Sequence, residues 1–186
     1  MKARVAAAVI LAAALAVPAG AQAAEGRKAD EVFTDVSKAV LTYPQFTIFD
    51  DVSATVTDGV VTLQGKVTMP YKKQDIERRV ARIPGVTLVE NRIDVLPVSQ
   101  FDDELRYKVA RAIYGNSAFW HYASMVNPPI HIIVDRGRIT LTGVVASNVE
   151  RMLARSLASS FNAFQVKSEL KTDQEMRALL DRKGAS

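Results

Sequence analysis

The sequence predicts an α+β fold of two tandem α-β-β-α-β repeats, each a three-stranded mixed sheet with two helices packed on one face. Three observations predict it. The pattern glycine, any residue, apolar residue, threonine, leucine, any residue, glycine occupies 59–65 and recurs 78 positions later, at 137–143. Apolar residues before each pattern stand four apart, as on one side of a helix. Apolar residues around each pattern alternate with polar ones, as in half-buried strands, so two copies of one unit are expected.

The first helix of each repeat carries one apolar stripe, which it is expected to bury against the sheet. Residues 102–104 are acidic and lie where the second copy's helix begins, where the helix dipole stabilises negative charge. The stripe consists of Val32, Val36 and Val40 in the first copy and of Leu105, Val109 and Ile113 in the second.

Two alternating segments joined by a tight turn follow in each copy. The turn is Asp-Gly at 58–59 and Arg-Gly at 136–137, and glycine adopts a positive φ there without steric cost. The alternation predicts a hairpin with one buried and one polar face, and it places His131 on the polar face.

A second helix and a final strand complete each copy. Pro70 opens the helix of the first copy, and the proline and glycine at 84–85 end it. In the second copy, residues 147–150 form a capping box at the start of the helix. The final strands are predicted at 86–95 and 163–170. The buried sides of these helices are Ile76, Val80 and Ile83 in the first copy, and Val149, Leu153 and Leu157 in the second.

These elements divide the chain into a first domain at 30–97, a second at 101–172 and a tail at 173–186 that can form one more helix. Each domain is near the lower size limit for independent folding, so the two are expected to dock against each other.

The first 23 residues have the pattern of a cleavable signal peptide. Two basic residues precede an apolar run at 5–17, and Ala21-Gln22-Ala23 offers a cleavage site after Ala23. The run is short for a membrane span, and an uncleaved anchor is the alternative. No later segment is apolar enough to cross a bilayer, so the mature chain is predicted to lie in a bacterial periplasm without a transmembrane segment.

The composition argues against catalysis, metal binding and nucleic-acid binding. The absence of cysteine excludes disulfides, thiol catalysis and cysteine-ligated metals. His121 and His131 do not have the spacing of metal or catalytic pairs, and the glycines at 59–65 are wrongly spaced for a phosphate loop. A net charge of +4 is far below the basic density of a nucleic-acid binder. The chain is therefore predicted to be no enzyme and to use no cofactor and no metal.

The hairpin and the final strand of the first copy resemble a known family. They read Asp58-Gly59-x-Val61-x-Leu63-x-Gly65-x-Val67 and Pro84-Gly85-Val86, then Val89-x-Asn91-x-Ile93-x-Val95. With this order of elements the chain resembles the BON (bacterial OsmY and nodulation) domain family, closely over 30–96 and more loosely over 102–171. The resemblance implies a non-catalytic periplasmic protein, like the osmotically induced ones, that attaches to phospholipid or other envelope surfaces and supports the envelope under osmotic stress.

The second copy carries the candidate contact residues. Residues 119–129 are an insertion that holds the only tryptophan, and aromatic residues with a polar edge suit the lipid–water interface. The neighbouring helix adds basic groups, each worth about 1 kcal/mol beside an anionic leaflet. The alternatives are rings packed into the seam between the copies and an ordinary solvated helix face. The candidate residues are Arg106, Tyr107, Lys108, Arg111, Tyr114, Phe119, Trp120 and Tyr122.

Three hypotheses of function follow from the sequence. The first is binding to an anionic phospholipid surface or to envelope proteins. The second is a periplasmic chaperone or protein-interaction module that uses apolar grooves or exposed strand edges. The third is binding of a small hydrophobic ligand in the seam between the copies.

Overall fold

The computed structural model of the protein describes residues 28–184, and the signal peptide predicted at 1–23, with its cleavage site after Ala23, lies outside them. The predicted α+β class with two α-β-β-α-β repeats is confirmed. The first repeat consists of α1 (Ala29–Leu41), β1 (Asp51–Thr57), β2 (Val60–Val67), α2 (Pro70–Val80) and β3 (Leu88–Val95). The second consists of α3 (Gln100–Tyr114), a 3-10 turn (Ser117–Phe119), α4 (Trp120–Ala123), β4 (Ile130–Asp135), β5 (Arg138–Val145), α5 (Asn148–Ala158), β6 (Gln165–Ser168), β7 (Lys171–Thr172) and a final helix, α6 (Asp173–Gly184).

Each repeat forms its own mixed sheet. In the first sheet, β2 lies between β1, which is antiparallel to it, and β3, which is parallel to it. In the second, β5 lies between β4 and the pair β6 and β7, both parallel to β5. β6 and β7 keep one register against β5, because Ser168 lies opposite Leu141 and Lys171 lies opposite Val144. The strand predicted at 163–170 is thus shorter at its start and is interrupted at 169–170, where Leu170 turns into the core.

The helices cover one face of each sheet and enclose two separate apolar cores. All six residues of the first-helix stripes are buried. The stripe predicted for α5 is wrong in part, because Val149 is 74% exposed and Leu153 and Leu157 are only partly buried. The residues of α5 that are fully buried are Ala154 and Ala158. Ala154 and Ala158 are four residues apart on one side of the helix, and the 3.6-residue period places Val149 away from that side.

The two glycines of the repeated pattern have different roles. Gly59 and Gly137 occupy the hairpin turns with φ of 77° and 72°. Gly65 and Gly143 lie within strands with φ of 133° and 109°, where a Cβ atom would lie 2.0 Å from Asp51 O and 1.8 Å from Pro129 O. The repeated pattern therefore encodes a turn and, six residues later, a close approach between neighbouring strands.

The acidic start of α3 also stabilises the second hairpin turn. The Asp102 carboxylate is buried and accepts hydrogen bonds from the backbone N–H groups of Arg136 (2.8 Å) and Gly137 (2.7 Å). Arg136 has a positive φ of 52°, which is unfavourable for a long side chain. Asp102 thus supports a turn that lacks the Asp-Gly sequence of the first repeat, beyond the dipole effect expected from its position.

The loop between α1 and β1, residues 42–50, belongs to the first repeat and contacts the second. Its Ile48 carbonyl accepts a hydrogen bond from the N–H of Ile132 on β4 at 2.7 Å. Ile48 and Phe49 pack against the second core, and Phe49 lies edge-to-face on Tyr107 with ring centroids 5.3 Å apart. An ion pair of 2.5 Å between Lys66 and Asp135 adds a contact between the two sheets. The first repeat therefore supplies part of the second repeat's packing. Across residues 28–184, no helix combines the length and apolarity that crossing a membrane requires.

Candidate functional site

The candidate residues on α3 divide into exposed and buried ones. Tyr107 is 64% exposed, and Lys108 and Arg111 lie on the same exposed side of the helix. Lys108 is paired with Glu104 at 3.4 Å, and both side chains are more than half exposed. Solvent-exposed pairs of this kind contribute little to stability, so Lys108 can exchange Glu104 for another anion.

Arg106 has a structural role instead of a surface role. Its side chain is 5% exposed, forms an ion pair with Asp103 and donates from Nη2 to the carbonyl of Val134 at 2.7 Å. Arg106 therefore ties α3 to the edge strand β4 and cannot reach a surface partner in this fold. Helical spacing gives a signal for this difference, because Arg106 precedes Val109 by three residues and so borders the buried stripe, whereas Arg111 lies on the opposite side of the helix.

Two of the insertion's aromatic residues, Phe119 and Tyr122, are also buried. Phe119 is fully buried, Tyr122 is 7% exposed, and their rings lie 6.2 Å apart. The Tyr122 hydroxyl donates to Glu150 at 2.8 Å and accepts from the N–H of Ala146 at 2.8 Å. Burial, together with the hydrogen bond to Glu150, raises the pKa of Tyr122 to about 12. Both rings pack in the core of the second repeat, and neither lies on its surface or in the seam between the repeats.

Tyr114 packs against this core, whereas Trp120 lies outside it. The half-buried Tyr114 donates its hydroxyl proton to the carbonyl of Ile130 at 2.5 Å, and burial raises the pKa of this side chain. Trp120 is 64% exposed, and its Nε1 donates to the carbonyl of Gly115 at 3.3 Å. Of the candidate residues in the insertion, Trp120 is the one that solvent reaches.

Three phenylalanines that the sequence did not single out lie beside the exposed part of α3. Phe101 and Phe164, 51% and 83% exposed, flank Gly137. Phe161 lines two adjoining shallow grooves with residues of α3, one of about 540 Å³ that includes Tyr107 and Arg111 and one of about 550 Å³ that includes Phe101. We call this surface the aromatic–basic face. It consists of Phe101, Tyr107, Lys108, Arg111, Phe161 and Phe164.

A sequence signal for these phenylalanines existed. In the first repeat the loop before the final strand reads Pro-Gly-Val at 84–86, whereas the second repeat has Phe-Asn-Ala-Phe at 161–164. A turn that replaces proline and glycine with two large aromatic residues gains apolar surface and loses the residue types that favour a tight turn. Such a change favours contact with a partner, because exposed apolar patches mark interaction surfaces.

A second concave site, the seam cleft, lies between the repeats. It has a volume of about 550 Å³, and its walls come from the 42–50 loop, β1, the 126–129 segment and strands β4 and β5. Asp51 and His131 are its titratable groups. His131 Nδ1 lies 2.6 Å from the carbonyl of Asp50, so this nitrogen is the donor. His131 therefore lies half-buried in the seam and contacts the other repeat, unlike the open polar face expected from the alternation.

A buried ion pair positions the loop that forms one wall of the seam cleft. Asp50 is fully buried and accepts from Lys72 Nζ at 2.6 Å, with Lys72 itself 5% exposed. Thr47 and Thr68 each donate a backbone N–H and a hydroxyl to the same carboxylate, at 2.8–2.9 Å. Burial alone would raise the pKa of Asp50, but Lys72, Thr68 and Thr47 together lower it. The carboxylate thus stays ionised and fixes the loop to the start of α2.

Among the side chains that the structure describes, residues 28–179, no group of three or more histidines, aspartates or glutamates is placed to hold a metal ion. The three tyrosines whose pKa values are raised, Tyr43, Tyr114 and Tyr122, donate their hydroxyl protons to carboxylates or carbonyls within the fold.

Comparison with known proteins identifies a family. A family model described as the BON domain matches residues 30–97 and 102–174, which together make up more than half of the chain. No curated protein matches the chain. Among solved structures, the chain is similar to CdsD, a structural protein of the Type III secretion system of Chlamydia trachomatis, with 15% identity, coverage of 81% of this chain and 97% of that one, and a TM-score of 0.29. A structure of the CdsD C-terminal domain gives 16% identity, coverage of 80% and 68%, and a TM-score of 0.32. The family assignment rests on the family model.

Proposed function

The chain belongs to the BON domain family, and from this membership we propose that it is a non-catalytic periplasmic protein that attaches to anionic phospholipid or other envelope surfaces. Domains of this family bind phospholipids and occur in envelope proteins, and the family is in general non-catalytic. The protein's role is to support envelope integrity under stress, including osmotic stress. Export depends on the signal peptide at 1–23.

The observation that supports this proposal is the aromatic–basic face of the second repeat. Lys108 and Arg111 supply positive charge, of which Glu104, an exposed partner of Lys108 that lines both grooves, offsets a part. Basic groups near an anionic leaflet contribute about 1 kcal/mol each. The exposed phenylalanines, Tyr107 and, beyond the end of α3, Trp120 supply rings that suit the headgroup level. Because Arg106 is buried, two cations remain where the sequence suggested three. Binding is therefore weak and sensitive to salt.

Flotation of the purified protein with vesicles that contain an anionic phospholipid tests this proposal. Binding is expected at low ionic strength and is expected to fall at high ionic strength. The double variant Lys108→Glu/Arg111→Glu should lose it. The matched control is Arg78→Glu/Arg82→Glu, which makes the same change of charge at exposed positions of the first repeat. No flotation at low salt, or an equal loss in both variants, would contradict the proposal.

A second candidate function is that of a periplasmic chaperone or protein-interaction module. The observation that favours it is the outer edge of β3, which pairs with no other strand within the described residues. An extended segment of a partner can add to such an edge through backbone hydrogen bonds. Suppression of aggregation of an unfolded client protein measures this activity. The Lys108→Glu/Arg111→Glu variant should retain it, which separates the two functions.

A further inference from the structure

The seam cleft lies apart from the aromatic–basic face and has the size of a ligand site. Its volume of about 550 Å³ falls within the range typical of small-molecule pockets. Leu41, Phe46 and Ile48 line it from the first repeat, and Val126 and Pro128 line it from the second. Leu41 is 46% exposed and Val126 is 97% exposed, so an apolar occupant would cover surface that now faces water.

One anionic group, Asp51, lies at the border between this apolar lining and a polar pocket of about 340 Å³ that Lys66, Thr142 and Glu169 also line. Asp51 is half-buried, and within residues 28–179 no basic side chain forms an ion pair with its carboxylate. Lys66 lies opposite Asp51 in the sheet but pairs with Asp135 instead. Glu169 is near enough to repel the carboxylate, whereas His131 attracts it. Burial has the largest effect and raises the pKa of Asp51. His131 and Thr142 lower this pKa and Glu169 raises it, so the net shift is upward.

We propose that the seam cleft binds a small lipophilic amine, whose apolar chain lies against Leu41, Ile48 and Val126 and whose ammonium group lies at Asp51. A cation compensates a partly desolvated carboxylate, and a charge-assisted hydrogen bond forms between them. An anionic ligand of the same length meets repulsion from Asp51 and Glu169. A neutral ligand leaves Asp51 uncompensated. The inference does not depend on membrane attachment, because the two sites share no residue.

Calorimetric titration of the purified protein with octylamine and octanoate at neutral pH tests the charge requirement. Octylamine is expected to bind at one site, and octanoate is expected not to bind. Asp51→Asn should weaken octylamine binding about tenfold, since the charge-assisted bond is lost. The fold should tolerate this variant, because burial already disfavours the charged form of Asp51. Asp58→Asn, at an exposed turn of the same hairpin, is the control and should bind as the parent does.

A second pair of variants tests the apolar wall. Val126→Ser should weaken octylamine binding about threefold, because it removes apolar surface that the chain covers. Val98→Ser changes an equally exposed valine outside the cleft and should have no effect. Lys108→Glu/Arg111→Glu should also leave octylamine binding unchanged. Equal affinity for octylamine and octanoate, or an Asp51→Asn variant that binds octylamine as tightly as the parent, would overturn the proposal.

Discussion

Asp50 connects the first repeat's own stability to the seam. Its side chain holds Lys72 and two threonines, while its backbone carbonyl receives the hydrogen bond from His131 of the second repeat. Breaking a buried ion pair from one side leaves the other charge uncompensated in a low-dielectric site. Asp50→Asn should therefore lower the free energy of unfolding by about 3 kcal/mol in urea denaturation. Asp58→Asn, at an exposed turn, should change it by less than about 0.5 kcal/mol.

The same side chain gives a pH dependence with a defined sign. The folded-state pKa of Asp50 lies below its ordinary value of 3.8, so its stabilising contribution is complete above that value. The contribution is lost as the pH falls through the folded-state pKa. The difference in unfolding free energy between the parent and Asp50→Asn should thus be constant near neutral pH and shrink below about pH 4. A difference that grows on acidification would show that the carboxylate is not held ionised.

Substitution of Gly143 tests whether the fold requires the close approach between strands that the second glycine of the repeated pattern permits. An alanine there would have a positive φ and a Cβ atom 1.8 Å from Pro129 O, so the start of β4 must move. Gly143→Ala should cost about 3 kcal/mol of unfolding free energy, measured by urea denaturation. Thr140→Ala, in the same strand, should cost less than about 1 kcal/mol. Similar losses for the two variants would mean that the close approach is not required.

At the scale of elements, the 119–129 insertion has one inward and one outward part. Tyr122 joins it to the start of α5 through Ala146 and Glu150, whereas Trp120 faces solvent. Tyr122→Phe should lower the melting temperature by an amount that corresponds to about 1–2 kcal/mol, the usual cost of a lost buried hydrogen bond. Trp120→Ala should cost less than about 1 kcal/mol but should weaken vesicle flotation. If Tyr122→Phe instead impaired flotation at unchanged stability, the inward position of Tyr122 and its structural role would be contradicted.

The sequence predicted well the elements whose pattern can be recognised within one short stretch of the chain. The stripes of α1 and α3 and the two hairpins follow from spacing and turn chemistry alone. The buried side of α5 was mispredicted because alanine is apolar enough to pack but too small to stand out beside Val149. The sequence-based candidates stay a prediction as a binding site, and the structure shows only which of them are exposed. Tyr107, Lys108, Arg111 and Trp120 are exposed, whereas the burial of Phe119 and Tyr122 depends on partners on other elements, which spacing does not reveal. The burial of Arg106 agrees with its place beside the apolar stripe of α3.

At the scale of the whole molecule, the two repeats are not equivalent partners. The 42–50 loop of the first repeat supplies Ile48 and Phe49 to the second core, while the corresponding loop of the second repeat is replaced by the longer insertion. A duplicated unit near the lower size limit gains from such a contact, because the apolar surface that each copy buries alone is small. The sequence indicated that the copies would dock, but nothing in the loop's composition indicated which of its residues cross the seam.

Phe49 is the side chain through which this coupling can be measured. Phe49→Ala removes the edge-to-face contact with Tyr107 and part of the second core's cover, at an expected cost of about 2 kcal/mol. The single tryptophan, Trp120, reports on the second repeat, whereas far-UV circular dichroism reports on both. In the parent, the two signals should give coincident urea transitions. In Phe49→Ala, the fluorescence midpoint should move to lower urea and the dichroism transition should broaden, since the repeats then unfold separately.

Tyr71→Ala, a half-exposed aromatic on α2 of the first repeat, is the control and should keep the two transitions together. Coincident transitions in Phe49→Ala at the parent's midpoint would mean that the loop contact does not couple the repeats.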